Sequence, residues 1–247
     1  MEPEVYNIMR TREDDFWWHR GMKRIITALM KKYAGNTSLK ILDAGCGTGG
    51  MFGTLKRFGE VYGVDTSSEA VEYARGRGIA KEVTRADVQR IPYADGFFDA
   101  VGCFDILYHR LVESPEQAVL EMRRVLKPGG LLIIREPAYN WLRSAHDLMV
   151  WTERRFTRVE LQRLLEQAGF DIVKSSYTNS LLFPIALVKR LLERLQLAPG
   201  QLHEEVFKKI AILDSFFYFC LRFESVLVPF INFPFGLSII CLARKRT

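Results

Sequence analysis

Between residues 39 and 178 the chain alternates short apolar runs with amphipathic stretches, and this order constrains the fold more than any other feature. Leu39-Lys-Ile-Leu42 predicts a strand ending in a glycine-rich turn, and Gly50 to Phe58 predicts a helix. Val61-Tyr-Gly-Val64 predicts a second strand, ending at Asp65, and Ser68 to Arg75 a helix with Ser67 and Glu69 in starting positions. Glu82 to Ala86 predicts a third strand, ending at Asp87, and Phe98 to Cys103 a fourth. A helix over Pro115–Leu126 stops at Lys127-Pro-Gly-Gly130, before a strand over Leu131–Ile134. Thr157 to Ala168 predicts a helix, with Thr157 and Glu160 spaced as a capping box and Gly169 as its stop. Asp171 to Thr178 closes the series as a strand.

Strands alternating with helices imply a parallel sheet with right-handed crossovers. Such sheets take ligands beyond the carboxyl ends of their strands. The residues to read for chemistry are therefore Asp43, Asp65, Asp87 and the run Phe104–His109. Two segments lie outside the alternation. Residues 1–37, with a helical run from about Gly21 to Tyr33, predict an N-terminal helical cap on a domain of residues 38–247. Residues 184–233 predict a helical, aromatic insertion before the last strand, a lid or an acceptor platform. It opens with a basic amphipathic helix over Pro184–Leu197, and 207–235 hold nine of the chain's thirty aromatic residues.

The 247 residues are 48% hydrophobic and 26% charged, too apolar to be disordered and long enough for one domain with an insertion. Four scattered cysteines without a CxxC pair suggest neither a zinc module nor a disulfide framework, no metal site is expected, and the cysteines fit a reducing, cytoplasmic setting. The charged start lacks the apolar core of a secretory signal. Ser225 to Ala243 is free of charge, but Pro229 and Pro234 break it as a spanning helix, so it reads as a turn and a buried strand, Leu237–Ala243. The excess of 35 Lys+Arg over 29 Asp+Glu gives +6, which suits nucleic acid, an anionic acceptor, a membrane face or a merely solvated surface.

Gly45-Cys-Gly-Thr-Gly-Gly50 follows a strand and opens a helix, so it literally matches the dinucleotide fingerprint G-x-G-x-x-G, with Asp65 where a ribose-binding acid belongs. Asp43 separates the readings. A carboxylate two residues before the first glycine would repel a pyrophosphate and suit a cationic ammonium, such as that of S-adenosylmethionine.

Here the chain resembles a family. Ile41-Leu-Asp-Ala-Gly-Cys-Gly-Thr-Gly49 is similar to the first motif of the class I S-adenosylmethionine-dependent methyltransferases. Val61–Asp65, Arg85–Val88 with Ile91-Pro-Tyr, Phe97–Val101 and Arg124–Leu132 resemble the next four in order. The resemblance implies an α/β, Rossmann-like seven-stranded sheet with helices on both faces and an antiparallel last strand, filled by Asp171–Thr178 and Leu237–Ala243. It implies S-adenosyl-L-methionine as cofactor, held by Asp43, Ala44, Gly45, Cys46, Gly47, Gly49, Asp65, Thr66, Asp87, Val88 and Phe104. Trp18 and Arg20 are candidates to close over it. Further runs, Glu136–Asp147, Arg154–Arg158, Tyr177–Pro184, Pro234–Ser238 and Phe16–Arg20, resemble a type 11-like bacterial subgroup often linked with cell-surface glycan or lipid pathways. The chain departs from it at Thr152, where a histidine is usual.

Methyl transfer from a sulfonium is an in-line displacement that depends on placement, and a base is needed only where the acceptor loses a proton. His109, beyond the fourth strand, is the first candidate base and His146 the second, while Tyr108 and Tyr139 are candidates to orient an acceptor hydroxyl. Arg154, Arg155 and Arg158 could hold an anionic acceptor or pair with Glu153 or Glu160. The leading expectation is O-methylation of a small or lipid-linked, glycan-type acceptor, at the inner membrane face if peripheral contact occurs. The alternatives are an RNA methyltransferase, which the scattered basic residues disfavour, and a non-catalytic cofactor-binding protein docked on a membrane or partner through Pro184–Leu197.

Overall fold

The computed structural model describes residues 13–35, 38–194 and 211–247. The ends of the predicted cap at 1–12 and 36–37 and the middle of the predicted insertion at 195–210 lie outside the described residues, as do the side chains of His146, Lys189 and Arg194.

Helix α1 (Trp17–Tyr33) leads into strand β1 (Leu39–Ala44), helix α2 (Phe52–Leu55), β2 (Gly59–Asp65), α3 (Ser68–Gly76), β3 (Glu82–Arg85) and β4 (Phe98–Phe104). Then follow α4 (Pro115–Val125), β5 (Leu126–Pro137), the short α5 (Ala145–Met149), α6 (Arg158–Gln167) and β6 (Phe170–Thr178). Helices α7 (Phe183–Arg194) and α8 (Ala211–Leu227) precede the final β7 (Ser238–Lys245). The seven strands form one sheet in the order β3-β2-β1-β4-β5-β7-β6. β1 pairs parallel with β2 and β4, and β7 alone is antiparallel, inserted between β5 and β6.

Period-two alternation sends successive strand residues to opposite faces, and each face has its own helices. Leu42, Ala44, Tyr62 and Val64 pack in one core with Ala118, Val119 and Met122 of α4 and Leu161, Leu164 and Leu165 of α6. Ile41 and Val61 pack in the other, with Met22, Ile25, Ile26 and Leu29 of α1, Val71 of α3 and Leu221 of α8. Thr157 and Glu160 make the reciprocal capping box at the start of α6.

Three elements differ from the sequence expectation, the first being α1, which starts at Trp17 rather than near Gly21. The helix predicted over Gly50–Phe58 shrinks to the four residues of α2, in a stretch that includes Gly49, Gly50, Gly53 and Gly59. The stop at Lys127–Gly130 is an excursion within β5: pairing with β4 holds at Phe98↔Leu126 and resumes at Ala100↔Leu131.

Candidate functional site

In this strand order the winding reverses between β1 and β4, so a crevice opens where their carboxyl ends diverge. The glycine turn after β1 and the loop after β4 meet there. A Cβ on Gly45, whose φ is +77°, would lie 2.3 Å from the Ile106 side chain. Gly47, at φ +52°, has nothing within 4 Å of the same position, so its backbone is open to a ligand.

Asp43, near the end of β1, is 2% exposed, and its Oδ2 has no hydrogen-bond partner. Burial, reinforced by Asp65 and opposed by Arg135, pushes its carboxyl up to about 8. An acid left in that state is built for a cationic or donor group from a ligand. Asp65 ends β2 and joins two elements: Oδ2 accepts from the Gly47 N–H and Oδ1 from the Ser67 N–H, both at 2.9 Å. Ser67 in turn caps α3 through the Ala70 N–H. Burial raises Asp65, and these backbone donors hold it back. Ala44 is buried, and Cys46 is a small buried filler beside Gly63 whose thiol burial pushes up. Thr66 is exposed and accepts from Arg85, while Asp87 accepts from the Gln89 N–H at 2.8 Å, beside buried Val88. An open depression of about 660 Å³, lined among others by Arg85, Arg90, Glu121 and Arg124, shares only Asp87 with this set.

Two acids that sequence reasoning passed over organise the crevice. Glu136, fully buried on β5, accepts from the N–H groups of Ile106, Leu107 and Tyr108 at 2.8 to 3.1 Å and so fixes the loop after β4. Burial, with Asp105 nearby, pushes its carboxyl up to about 8. Asp105 takes φ +58° and forms an ion pair with buried Arg135. The Arg135 guanidinium lies 4.9 Å from the Trp18 ring centre and 5.7 Å from that of Phe104. The signal for Glu136 was its place near a strand end, the place that marks Asp43. The second acid is Glu13, ahead of α1. It accepts from Thr48 Oγ1 at 2.7 Å and pairs with Arg77, which also donates to the Thr48 carbonyl. The N-terminal segment thus sits directly on the glycine turn, and a Cβ on Gly50 would strike Glu13. Arg20 is exposed, its guanidinium 4.1 Å from the Tyr218 ring centre on α8.

Beyond β4, His109 Nδ1 accepts from the Leu111 N–H at 3.1 Å, which puts the proton of the neutral ring on Nε2. Burial, with nearby positive charge including Arg110, lowers its pKa to about 4. His109 is therefore neutral near pH 7, with its ring proton on Nε2. It bridges to Thr152 through the backbone. Tyr108 is buried, and its carbonyl accepts from the Glu153 and Arg154 N–H groups. Neither Arg154 nor Arg155 pairs with Glu153 or Glu160, the partners foreseen from the sequence, because other groups in the chain take up both guanidinium groups. Arg154 donates to the Val112 and Leu107 carbonyls, and Arg155 binds Asp147 through two nitrogens at 2.8 and 3.0 Å.

Tyr139, at φ +58°, follows β5 and stacks on Tyr177 of β6 with ring centres 5.1 Å apart. Trp141 lies 5.4 Å from Tyr139, and Phe183 lies 5.3 Å from Phe235 and 6.2 Å from Trp141. The Tyr139 hydroxyl is pushed up by burial and by the neighbouring Tyr177 hydroxyl. Trp141 and Phe235 stay half-exposed, so this aromatic wall beside the crevice is open to a ligand. No group of His, Cys, Asp and Glu among the described residues is arranged to hold a metal ion.

A family model described as a methyltransferase domain matches residues 42–134. A ubiquinone/menaquinone biosynthesis C-methyltransferase of Paraburkholderia phymatum is 30% identical over 168 residues, which cover 55% of this chain and 68% of that protein. A malonyl-[acyl-carrier protein] O-methyltransferase of Enterobacter lignolyticus is 35% identical over 111 residues, 44% of this chain and 43% of that protein. The chain spans that same 43% of an uncharacterised Streptomyces fradiae transposon protein, so less than half of either relative is matched. Among solved structures, the [4+2]-cyclase SpnF superposes with a TM-score of 0.61 at 21% identity, covering 93% of this chain and 84% of that one. That likeness speaks for the fold alone.

Proposed function

The chain belongs to the class I S-adenosylmethionine-dependent methyltransferases, and from that premise we propose that it methylates an oxygen of a small or lipid-linked, glycan-type acceptor. The observation that carries the cofactor part of the reading is the partnerless Asp43 oxygen, buried beside a turn that Gly47 leaves open, and the half-exposed aromatic wall supports the apolar acceptor. A cofactor with a cationic ammonium fits that carboxylate. Asp65 would take the ribose hydroxyls on lone pairs its two backbone donors leave unused, and Asp87 and Val88 would border the adenine. Phe104 and Trp18, both at the Arg135 guanidinium, would wall the sulfonium end. When bound, the cofactor supplies an electrophilic methyl group on sulfur.

The chain's own task is then placement. Glu136 sets the backbone of residues 106–108, so Tyr108 and His109 are held at a fixed distance from the crevice. In this reading His109 Nε2–H and the tyrosine hydroxyls would orient the acceptor oxygen, whose hydroxyl proton would pass to solvent water as the oxygen takes the methyl group, and the wall of Tyr139, Trp141 and Phe183 would cover the apolar part of the acceptor. His146, on α5, remains the second candidate base, its side chain lying outside the described residues. Apolar and aromatic lining suits a lipid-linked acceptor, and a peripheral contact with the inner face of a membrane goes with it. With Arg154 and Arg155 occupied inside the chain, an anionic acceptor would rely on other donors.

Isothermal titration with S-adenosylmethionine tests the cofactor, and no binding at millimolar ligand defeats the reading. Asp65→Ala should weaken affinity by about tenfold or more, since hydrogen bonds to a carboxylate are worth roughly 1.5–3 kcal/mol. Unchanged affinity would show the cofactor misplaced. For the acceptor, methyl-labelled cofactor is incubated with a lipid-linked glycan fraction. Label on oxygen in the organic phase is expected, and label on carbon would overturn the choice of atom.

A further inference from the structure

Helix α8 is apolar on two opposite faces. One face packs on α1: Phe217 meets Trp17 with ring centres 5.1 Å apart, and Leu221 lies on Gly21. The opposite face carries Phe216, Phe219, Phe223 and Val226, and Phe230 continues the line past the helix end. These five recur at three- and four-residue spacing and are 50 to 73% exposed. A helix apolar all round is ordinarily covered on every side. With aromatic side chains of about 150–250 Å² each, the stripe leaves on the order of 500 Å² of apolar surface open, the size that marks an interaction site.

Its edges are basic. Arg20 and Arg24 both engage Tyr218, one turn before exposed Arg222 on the same flank of α8. Lys32 lies 4.4 Å from the Phe230 ring centre at the far end. We propose that this face docks on the interface of an anionic lipid bilayer, with the phenylalanines among the acyl chains and the four cations at the headgroups. The charge pattern chooses the occupant. Antiparallel two-fold pairing of α8 with a second copy would set each arginine flank against itself, whereas anionic lipid satisfies it. No helix among the described residues is long and apolar enough to cross a membrane, so the contact is peripheral.

The inference rests on the membrane part of the proposed function and on none of its chemistry. Full-length protein without cofactor is floated with vesicles of phosphatidylcholine alone or mixed with phosphatidylglycerol. Binding to the mixed vesicles only, falling with added salt, is expected. Phe219→Asp with Phe223→Asp should lower it by about tenfold or more, since two buried aromatic anchors are replaced by charges that the anionic surface repels. Val159→Asp, at another exposed apolar site, should leave it unchanged. In Phe219→Trp, emission should shift to the blue and be quenched by bromine-labelled acyl chains, a readout that needs no destabilising charge. Three results would overturn the proposal: no binding by the parent protein, full binding by the double variant, or a dimer in light scattering that the double variant dissociates. Cofactor titration on the same samples separates a failed docking face from a failed transferase reading.

Discussion

His109 shows how a side chain in a suggestive place acquires a role from its neighbours. Its position after β4 was legible, but its chemistry was not, because the deciding partner is the backbone N–H of Leu111. With its pKa lowered to about 4, the imidazole does not titrate near neutrality. The pH profile of methyl transfer should therefore show no ionisation near 6.5 that His109→Gln removes, and such an ionisation would restore His109 as a base. Glu136 makes the same point for a carboxylate. Its three partners come from a loop about thirty residues earlier, and no local pattern announces them. Glu136→Ala leaves three donors unpaired, two of them buried, and at about 1–3 kcal/mol for each buried one the loss should be roughly 2–6 kcal/mol. Urea unfolding measures this, and the loop after β4 should lose amide protection first.

At the level of elements, legibility followed locality. The capping box of α6, the stop at Gly169 and the alternation of the strands were read from adjacent residues, and the structure contains them. The extent of α2 and the start of α1 were not, since glycine density and the packing of Trp17 on α8 decide them. Buried Glu224 of α8 gathers the N–H groups of Asn179 and Ser180, as Glu136 does those of the β4 loop, so a helix late in the chain fixes the exit from β6. The α1–α8 contact depends on a residue without a side chain. Alanine favours a helix over glycine by about 1 kcal/mol, but a Cβ on Gly21 would lie 2.3 to 2.5 Å from Leu221, and overpacking costs about 1–3 kcal/mol. Gly21→Ala should therefore lower the melting temperature, and Leu221→Ala should not rescue it, because alanine keeps the Cβ that lies 2.5 Å away. A higher melting temperature in the single variant would mean that α8 does not sit on α1 as described.

Among the described residues Asp43 and Glu136 are buried acids whose carboxyls burial pushes up, as it does those of Asp65 and Glu224, and the stability of the whole molecule should carry their signature. Asp43 and Glu136 have folded values near 8 against ordinary values of 3.8 and 4.5. Between about pH 4 and 8 the folded state thus holds protons that the unfolded chain has released, so stability falls as pH rises through that window and levels off above it. The paired acids act in the opposite sense. Asp147, held low by Arg155, and Asp99, held low by Lys127, withdraw their contributions as pH drops below the ordinary carboxylate range. Without ligand, maximum stability should therefore lie at mildly acid pH. Asp43→Asn removes one of these descending contributions. It should melt higher than the parent at pH 8 and equally at pH 4, while losing about tenfold or more in cofactor affinity because the ammonium loses its counter-charge. Cofactor binding to the parent near pH 7 should release a proton as Asp43 ionises, visible as a buffer-dependent enthalpy that Asp43→Asn abolishes. An unchanged slope of melting temperature against pH in Asp43→Asn would place the buried protons elsewhere, and a buffer-independent enthalpy in the parent would mean that Asp43 is already ionised before the cofactor arrives.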